Sequence, residues 1–237
     1  MDIKARKLEE SRIRTVYSQR DLTGKRLLYR WHREEVLFNI YRFRTVVASM
    51  LARSAYLDLS EIEALDVGCG TGSWLRTLVE WGASPEHLHG IDLLQERIDS
   101  ARSIIPQIDF QLASGYDIPF PNDSMDLISA HTVFSSILNA DARRALAQEM
   151  NRVLTDSGIV LIYDYRVSDP RNPDTIGIRR AEIQRLFPGF NLQFRSLTLA
   201  PPLARRLAPF SPLLAHMMEV WLPFLRTHAI YLLRQHI

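Results

Sequence analysis

The stretch Glu63-Ala-Leu-Asp-Val-Gly-Cys-Gly-Thr-Gly-Ser-Trp-Leu75 sets three glycines in five residues behind an apolar run. Glycine adopts backbone conformations closed to other residues and lets a ligand approach the main chain. The run predicts a strand over 62–67 and the segment after the glycines, SWLRTLVEW, a helix. A strand, a glycine turn and a helix in that order form the ligand-binding corner of a parallel α/β sheet.

Working outward, apolar runs alternate with helical stretches. Strands are expected at HLHGIDL (87–93), DFQLA (109–113), MDLISA (125–130) and IVLIYDY (159–165). Helices are expected from about 94 to 104 and over DARRALAQEMNRVL, with Asp141 as N-cap and Ser157-Gly158 turning into the next strand. RRAEIQRLF reads as helix, and NLQFRSLTLA and HAIYLLRQ as strands. This alternation implies βαβ units and a doubly wound, mostly parallel Rossmann-like sheet of seven strands with helices on both faces. Residues 1–57 read as a helical extension or lid, with Val36, Leu37, Ile40, Phe43 and Val47 at helical spacing. Residues 58–165 form the ligand-binding core and 166–237 a C-terminal part with a helical insertion at about 201–226. One domain is expected.

The 237 residues carry a net charge of only +2, unevenly spread. Residues 1–53 hold 13 basic and 6 acidic side chains, 166–237 hold 10 and 4, and the middle holds 6 and 17. Basic flanks around an acidic centre suggest that the flanks face something anionic. Leu207–Met218 is broken by Pro209 and Pro212, too short a run to span a bilayer. The charged N-terminus lacks a signal-peptide core, and the single cysteine, Cys69, fits a reducing compartment, so the expectation is cytoplasmic. No Cys/His cluster suggests a metal.

The glycines do not suit a phosphate. A dinucleotide fingerprint would want glycine at Ser73, and a P-loop needs a lysine, whereas none occurs after Lys25. The stretch D-x-G-x-G-x-G, followed by GIDL ending in Asp92, by SGYDIPFPNDSMDLISAHTVF and by EMNRVLTDSGIVLIYDY, resembles the ordered motifs of the class I S-adenosylmethionine-dependent methyltransferases. The resemblance covers roughly residues 60–165. It implies an S-adenosylmethionine cofactor lying against Gly68, Cys69, Gly70 and Gly72, with Asp66 near its amino-acid end. Asp92 would take the ribose hydroxyls beside Leu93, and Ser114, Gly115 and Tyr116 would border the adenine. Ser114 stands where such enzymes commonly carry an acid. Cys69 reads as a space-filling residue.

Methyl transfer from a sulfonium asks the protein to position an acceptor and, for a hydroxyl, to remove its proton. His131 follows the fourth strand at the cofactor edge and is the expected base, with Asp164 the second candidate. Tyr17, Tyr29 and His32 on the N-terminal helices, Tyr165 on the fifth strand, and Met217 and Trp221 in the insertion are the expected acceptor-binding residues. The large apolar residues of the insertion admit three readings: a cover over the acceptor, contact with a membrane surface aided by Arg205 and Arg206, or completion of the core. The functional expectation is methylation of a small molecule, at a hydroxyl, in bacterial glycan or secondary-metabolite biosynthesis. An RNA or protein methyltransferase and a non-catalytic cofactor-binding regulator are the alternatives. Oligomeric state leaves no signal in the sequence.

Overall fold

The computed structural model describes residues 3–22, 32–54 and 57–235. Two long helices open the chain, α1 (Ile3–Leu22) and α2 (Glu34–Arg53). The alternating core follows as β1 (Ala64–Val67), α3 (Ser73–Glu80), β2 (Leu88–Asp92), α4 (Gln95–Ile104), β3 (Asp109–Leu112), β4 (Met125–His131), α5 (Ala140–Val153) and β5 (Leu154–Tyr165). It closes with α6 (Arg180–Leu186), β6 (Phe190–Leu199), α7 (Pro201–Leu207), α8 (Pro212–Trp221) and β7 (Arg226–Gln235).

The seven strands form one sheet in the order β3-β2-β1-β4-β5-β7-β6. The first five are parallel, and β7 runs antiparallel to both β5 and β6, so β6 points the same way as the core strands. The order reverses beside β1, which leaves a crevice outside the carboxyl ends of β1 and β4 where such sheets bind ligands. Because β6 shares that direction, α7 and α8 leave the sheet at the crevice edge.

The buried strands are apolar on both faces, as a sheet covered on both sides requires. Along β5, Val160 and Ile162 pack on one side against Leu146 and Met150 of α5. Ile159 and Leu161 pack on the other, with Leu75 and Leu78 of α3 and Val47 of α2.

Two local expectations give way. Asn139, rather than Asp141, caps α5, its side chain accepting from the backbone N–H groups of Asp141 and Ala142. Residue 141 lies inside the first turn, where an acid still complements the helix dipole. Ser157-Gly158 makes no turn between elements. Strand β5 starts at Leu154 and absorbs the pair in a bulge, Met125 pairing with Leu154 and Leu127 with Ile159.

The insertion is anchored by a buried carboxylate. Glu219 of α8 accepts from the backbone N–H of Thr198 at 3.2 Å and from Arg42 Nε of α2 at 3.0 Å. Removing one partner of a buried ion pair strands the other. Arg42→Met is therefore expected to cost about 3 kcal/mol of folding stability. Urea unfolding of the variant beside the parent checks this.

Candidate active site

The glycine turn is built as its composition demands. Gly68, Gly70 and Gly72 all have positive φ, at 72°, 55° and 74°. A Cβ on Gly68 would meet Val133 Cγ2 at 2.7 Å, so a side chain there is excluded twice over. The loop is tied to the end of β2: Gly68 and Cys69 donate their N–H groups to Ile91 O, and Gly70 donates to Asp92 Oδ2 at 2.9 Å. The other oxygen of Asp92 accepts from Leu94 N–H, also at 2.9 Å. One side chain thus braces the chain entering the following helix and also lines the crevice.

Above this turn lies a narrow cavity of about 160 Å³ lined by Gly68, Asp92, Leu93, Ser114, Gly115, Tyr116 and His131, with Tyr17 of α1 at its edge. Of the residues expected at the cofactor, Asp66, Cys69, Gly70 and Gly72 do not line it. Asp66 is buried and accepts from Ser129 Oγ at 2.7 Å. Burial, with the neighbouring Asp92 carboxylate adding to it, pushes the Asp66 pKa up to about 7. Burial and these same two carboxylates hold the Cys69 thiol protonated, which suits a space filler.

These features fit S-adenosylmethionine. Two carboxylates crowd the turn, and a cationic amino-acid end would relieve their repulsion. Asp92 keeps lone pairs for hydroxyls, and His131 Nε2 and Tyr116 OH are buried without a hydrogen-bond partner among the described residues.

A second cavity of about 490 Å³ opens off the first, sharing Tyr17, Arg97, Thr132 and Ser136. Its walls come from α1, α2, α4, β5, β6, α7 and β7 and include Glu35, Tyr163, Tyr165, Thr198, Arg205 and His228. Thr132 and Thr198 hold positive φ of 56° and 69°, a strained conformation for threonine of the kind found at functional sites. Helix α1 lies across the narrower cavity: Arg6 donates to Tyr116 O, Arg14 to Leu93 O, and Tyr17 OH bonds Ser136 Oγ at 2.8 Å. Leu138 N–H donates to Glu9, and the Ser114 hydroxyl bonds the Glu10 carboxylate.

Several expected residues take other parts. His131 is at the cavity, but its ring sits edge-on among Phe43, Trp74 and Tyr163. Burial pushes its pKa down to about 3, so the ring is held neutral. Asp164 is fully buried, lines neither cavity, and accepts from Ser135 N–H at 3.1 Å and Tyr165 N–H at 2.8 Å. It clamps the loop after β4, and its pKa rises to about 6 through burial. His32, Met217 and Trp221 line neither cavity and are exposed. Tyr29 lies outside the described residues. The sequence reading missed Arg97, Thr132, Ser136, Glu35 and His228. Only Arg97 carried a signal, as a cation one turn after Asp92.

Residues 64–158 match the family profile described as Methyltransferase domain. These residues form a methyltransferase domain, and the sheet around them has the fold of the class I S-adenosylmethionine-dependent methyltransferases. Its sequence is 35% identical over 148 residues to the O-methyltransferase cnsE of Penicillium expansum, covering 58% of this chain and 51% of the relative. It is 25% identical over 116 residues to the ubiquinone/menaquinone biosynthesis C-methyltransferase UbiE of Campylobacter jejuni, covering 47% and 48%. The chain thus spans about half the length of these relatives. Among solved structures, an S-adenosylmethionine-dependent methyltransferase from Mesorhizobium loti superposes with a TM-score of 0.57 at 18% identity, over 79% of this chain and 96% of that one. At that identity the likeness speaks for the methyltransferase fold alone. Among the described residues, no group of three or more His, Cys, Asp or Glu could hold a metal ion.

The Asp66 environment makes a pH prediction. Its folded pKa lies above its unfolded value, so the acid form is favoured by folding, and stability from this group falls as pH rises from about 4 to 7. A cationic ligand favours the ionised form. Cofactor binding at pH 6 should therefore release a proton, and affinity should fall as pH drops below 7. Calorimetry in buffers of different ionisation enthalpy measures both, and Asp66→Asn should abolish the proton release.

Proposed function

We propose that this protein transfers a methyl group from S-adenosylmethionine to a hydroxyl of a small, anionic acceptor seated in the larger cavity. The observation that carries the reading is the junction of the two cavities. A compartment of about 490 Å³ is of the size that encloses a small molecule, and it meets the narrower cavity at Tyr17, Arg97, Thr132 and Ser136.

Gly68, Asp92, Leu93, Ser114, Gly115 and Tyr116 would hold the cofactor, with Asp66, Cys69, Gly70 and Gly72 shaping the turn below. When bound, the cofactor supplies a methyl group on a sulfonium, open to in-line displacement. The chain's own residues do the rest. Arg20, Arg97 and Arg205 line the acceptor chamber. Glu35, the carboxylate on that wall, is already paired with Arg33 at 2.7 Å. The chamber is therefore cationic and suits a carboxylate or phosphate on the acceptor.

Tyr165 packs on His228 with ring centroids 4.0 Å apart and gives one wall an aromatic face. His228 is buried and pushed down to about 3, so it stays neutral. Glu35 takes over the role first assigned to His131 and Asp164, receiving the hydroxyl proton within the chamber. Strained Thr132 and Thr198 and the Tyr17 hydroxyl orient the acceptor. The cnsE relative supports oxygen as the methylated atom, and the setting is bacterial glycan or secondary-metabolite assembly in the cytoplasm. Basic flanks also suit RNA, but Arg20 and Arg205 of those flanks border the acceptor chamber.

Incubating the protein and methyl-labelled cofactor with an extract of its own cells tests the reading. Label in small anionic molecules is expected. Label in RNA or protein overturns it, and a protein that binds cofactor without any labelled product is a regulator instead. With the acceptor in hand, Glu35→Gln should lower kcat about 100-fold while cofactor affinity holds.

A further inference from the structure

Helix α8 is built inside out. Its inward face presents Ala215 and the carboxylate of Glu219, both buried, the latter held by Arg42 and Thr198. Its outward face carries Leu213, Leu214, Met217, Val220 and Trp221, all exposed, with Trp221 at 76%. Phe210 just before the helix is 92% exposed and Phe224 just after it 75%. Single exposed apolar residues are ordinary, but a contiguous set of large ones marks a contact surface. The face does not enclose the acceptor, since none of these residues lines either cavity. It does not complete the core, since it points away from it.

We infer that this face seats the protein on an anionic lipid surface, with α8 lying in the interface. Charge decides the occupant. Between residues 201 and 224 the charged groups are Arg205 and Arg206, both exposed, and Glu219, which is buried and paired. The exposed part is thus apolar and cationic with no exposed acid, the composition of helices that lie in a membrane interface. A second copy across a two-fold axis would set the same apolar patch and arginines against themselves, bringing like charges together. An acidic protein would match the arginines but leave aromatic side chains on a convex helix without a pocket. Among the described residues no helix is long and apolar enough to cross a membrane, so the contact is peripheral.

The test uses the whole protein without cofactor, so it stands apart from the methyl-transfer reading. Flotation with vesicles of phosphatidylcholine alone is compared with vesicles containing one part phosphatidylglycerol to two of phosphatidylcholine. Binding to the anionic vesicles is expected, at least about ten-fold weaker in the triple variant Phe210→Ser, Trp221→Ser, Phe224→Ser. That variant changes only outward side chains, and its urea unfolding midpoint should match the parent, which separates lost lipid contact from lost folding. Arg206→Gln, at an arginine that lines neither cavity, should reduce the preference for anionic over neutral vesicles. The inference is overturned by absence of vesicle binding, by equal binding of the triple variant, or by a dimer in sedimentation that the triple variant dissolves.

Discussion

Everything at this site hangs on the attachment of the glycine turn to the end of the second strand. Three left-handed residues bring the backbone of 68–70 under Ile91 and Asp92, where two main-chain N–H groups meet one carbonyl and a third meets a carboxylate. That arrangement costs conformational entropy and crowds Asp66 and Asp92 together without a cation. It persists because the strands on either side are buried on both faces and leave the loop no alternative path. The crowding of the two carboxylates thus sits where a cationic ligand can relieve it.

How much was readable in advance follows from range. Strand-and-glycine patterns are local, so β1, its turn, β2 and Asp92 could be placed from a few residues each, and so could the cavity residues 114–116. The chemistry of single side chains was not local. His131 has the right position, but its basicity is set by Phe43, Trp74 and Tyr163, which come from three other elements. Asp164 looks like a strand-end base until the loop after β4 folds back and Ser135 N–H takes one oxygen, while Tyr165 N–H takes the other. Glu35 and Arg205 lie 170 residues apart in the chain, and only the sheet order brings both to one chamber.

The insertion shows the same limit from another side. Its composition, rich in leucine, methionine and aromatic residues, resembles that of a core helix. One acidic residue, Glu219, reverses the meaning, because it is the side chain the fold chooses to bury. Burying a carboxylate is tolerable only with partners in place, and Arg42 and the Thr198 amide supply them from elements distant in sequence. Hydrophobic periodicity gives the existence of the stripe but not which side of the helix faces the sheet.

Tyr17 lines both cavities and is fastened to Ser136 at their junction, on a helix pinned across the narrower one by Arg6, Glu9 and Arg14. One helix therefore forms part of the wall of both compartments, so any displacement of α1 would reshape the two together.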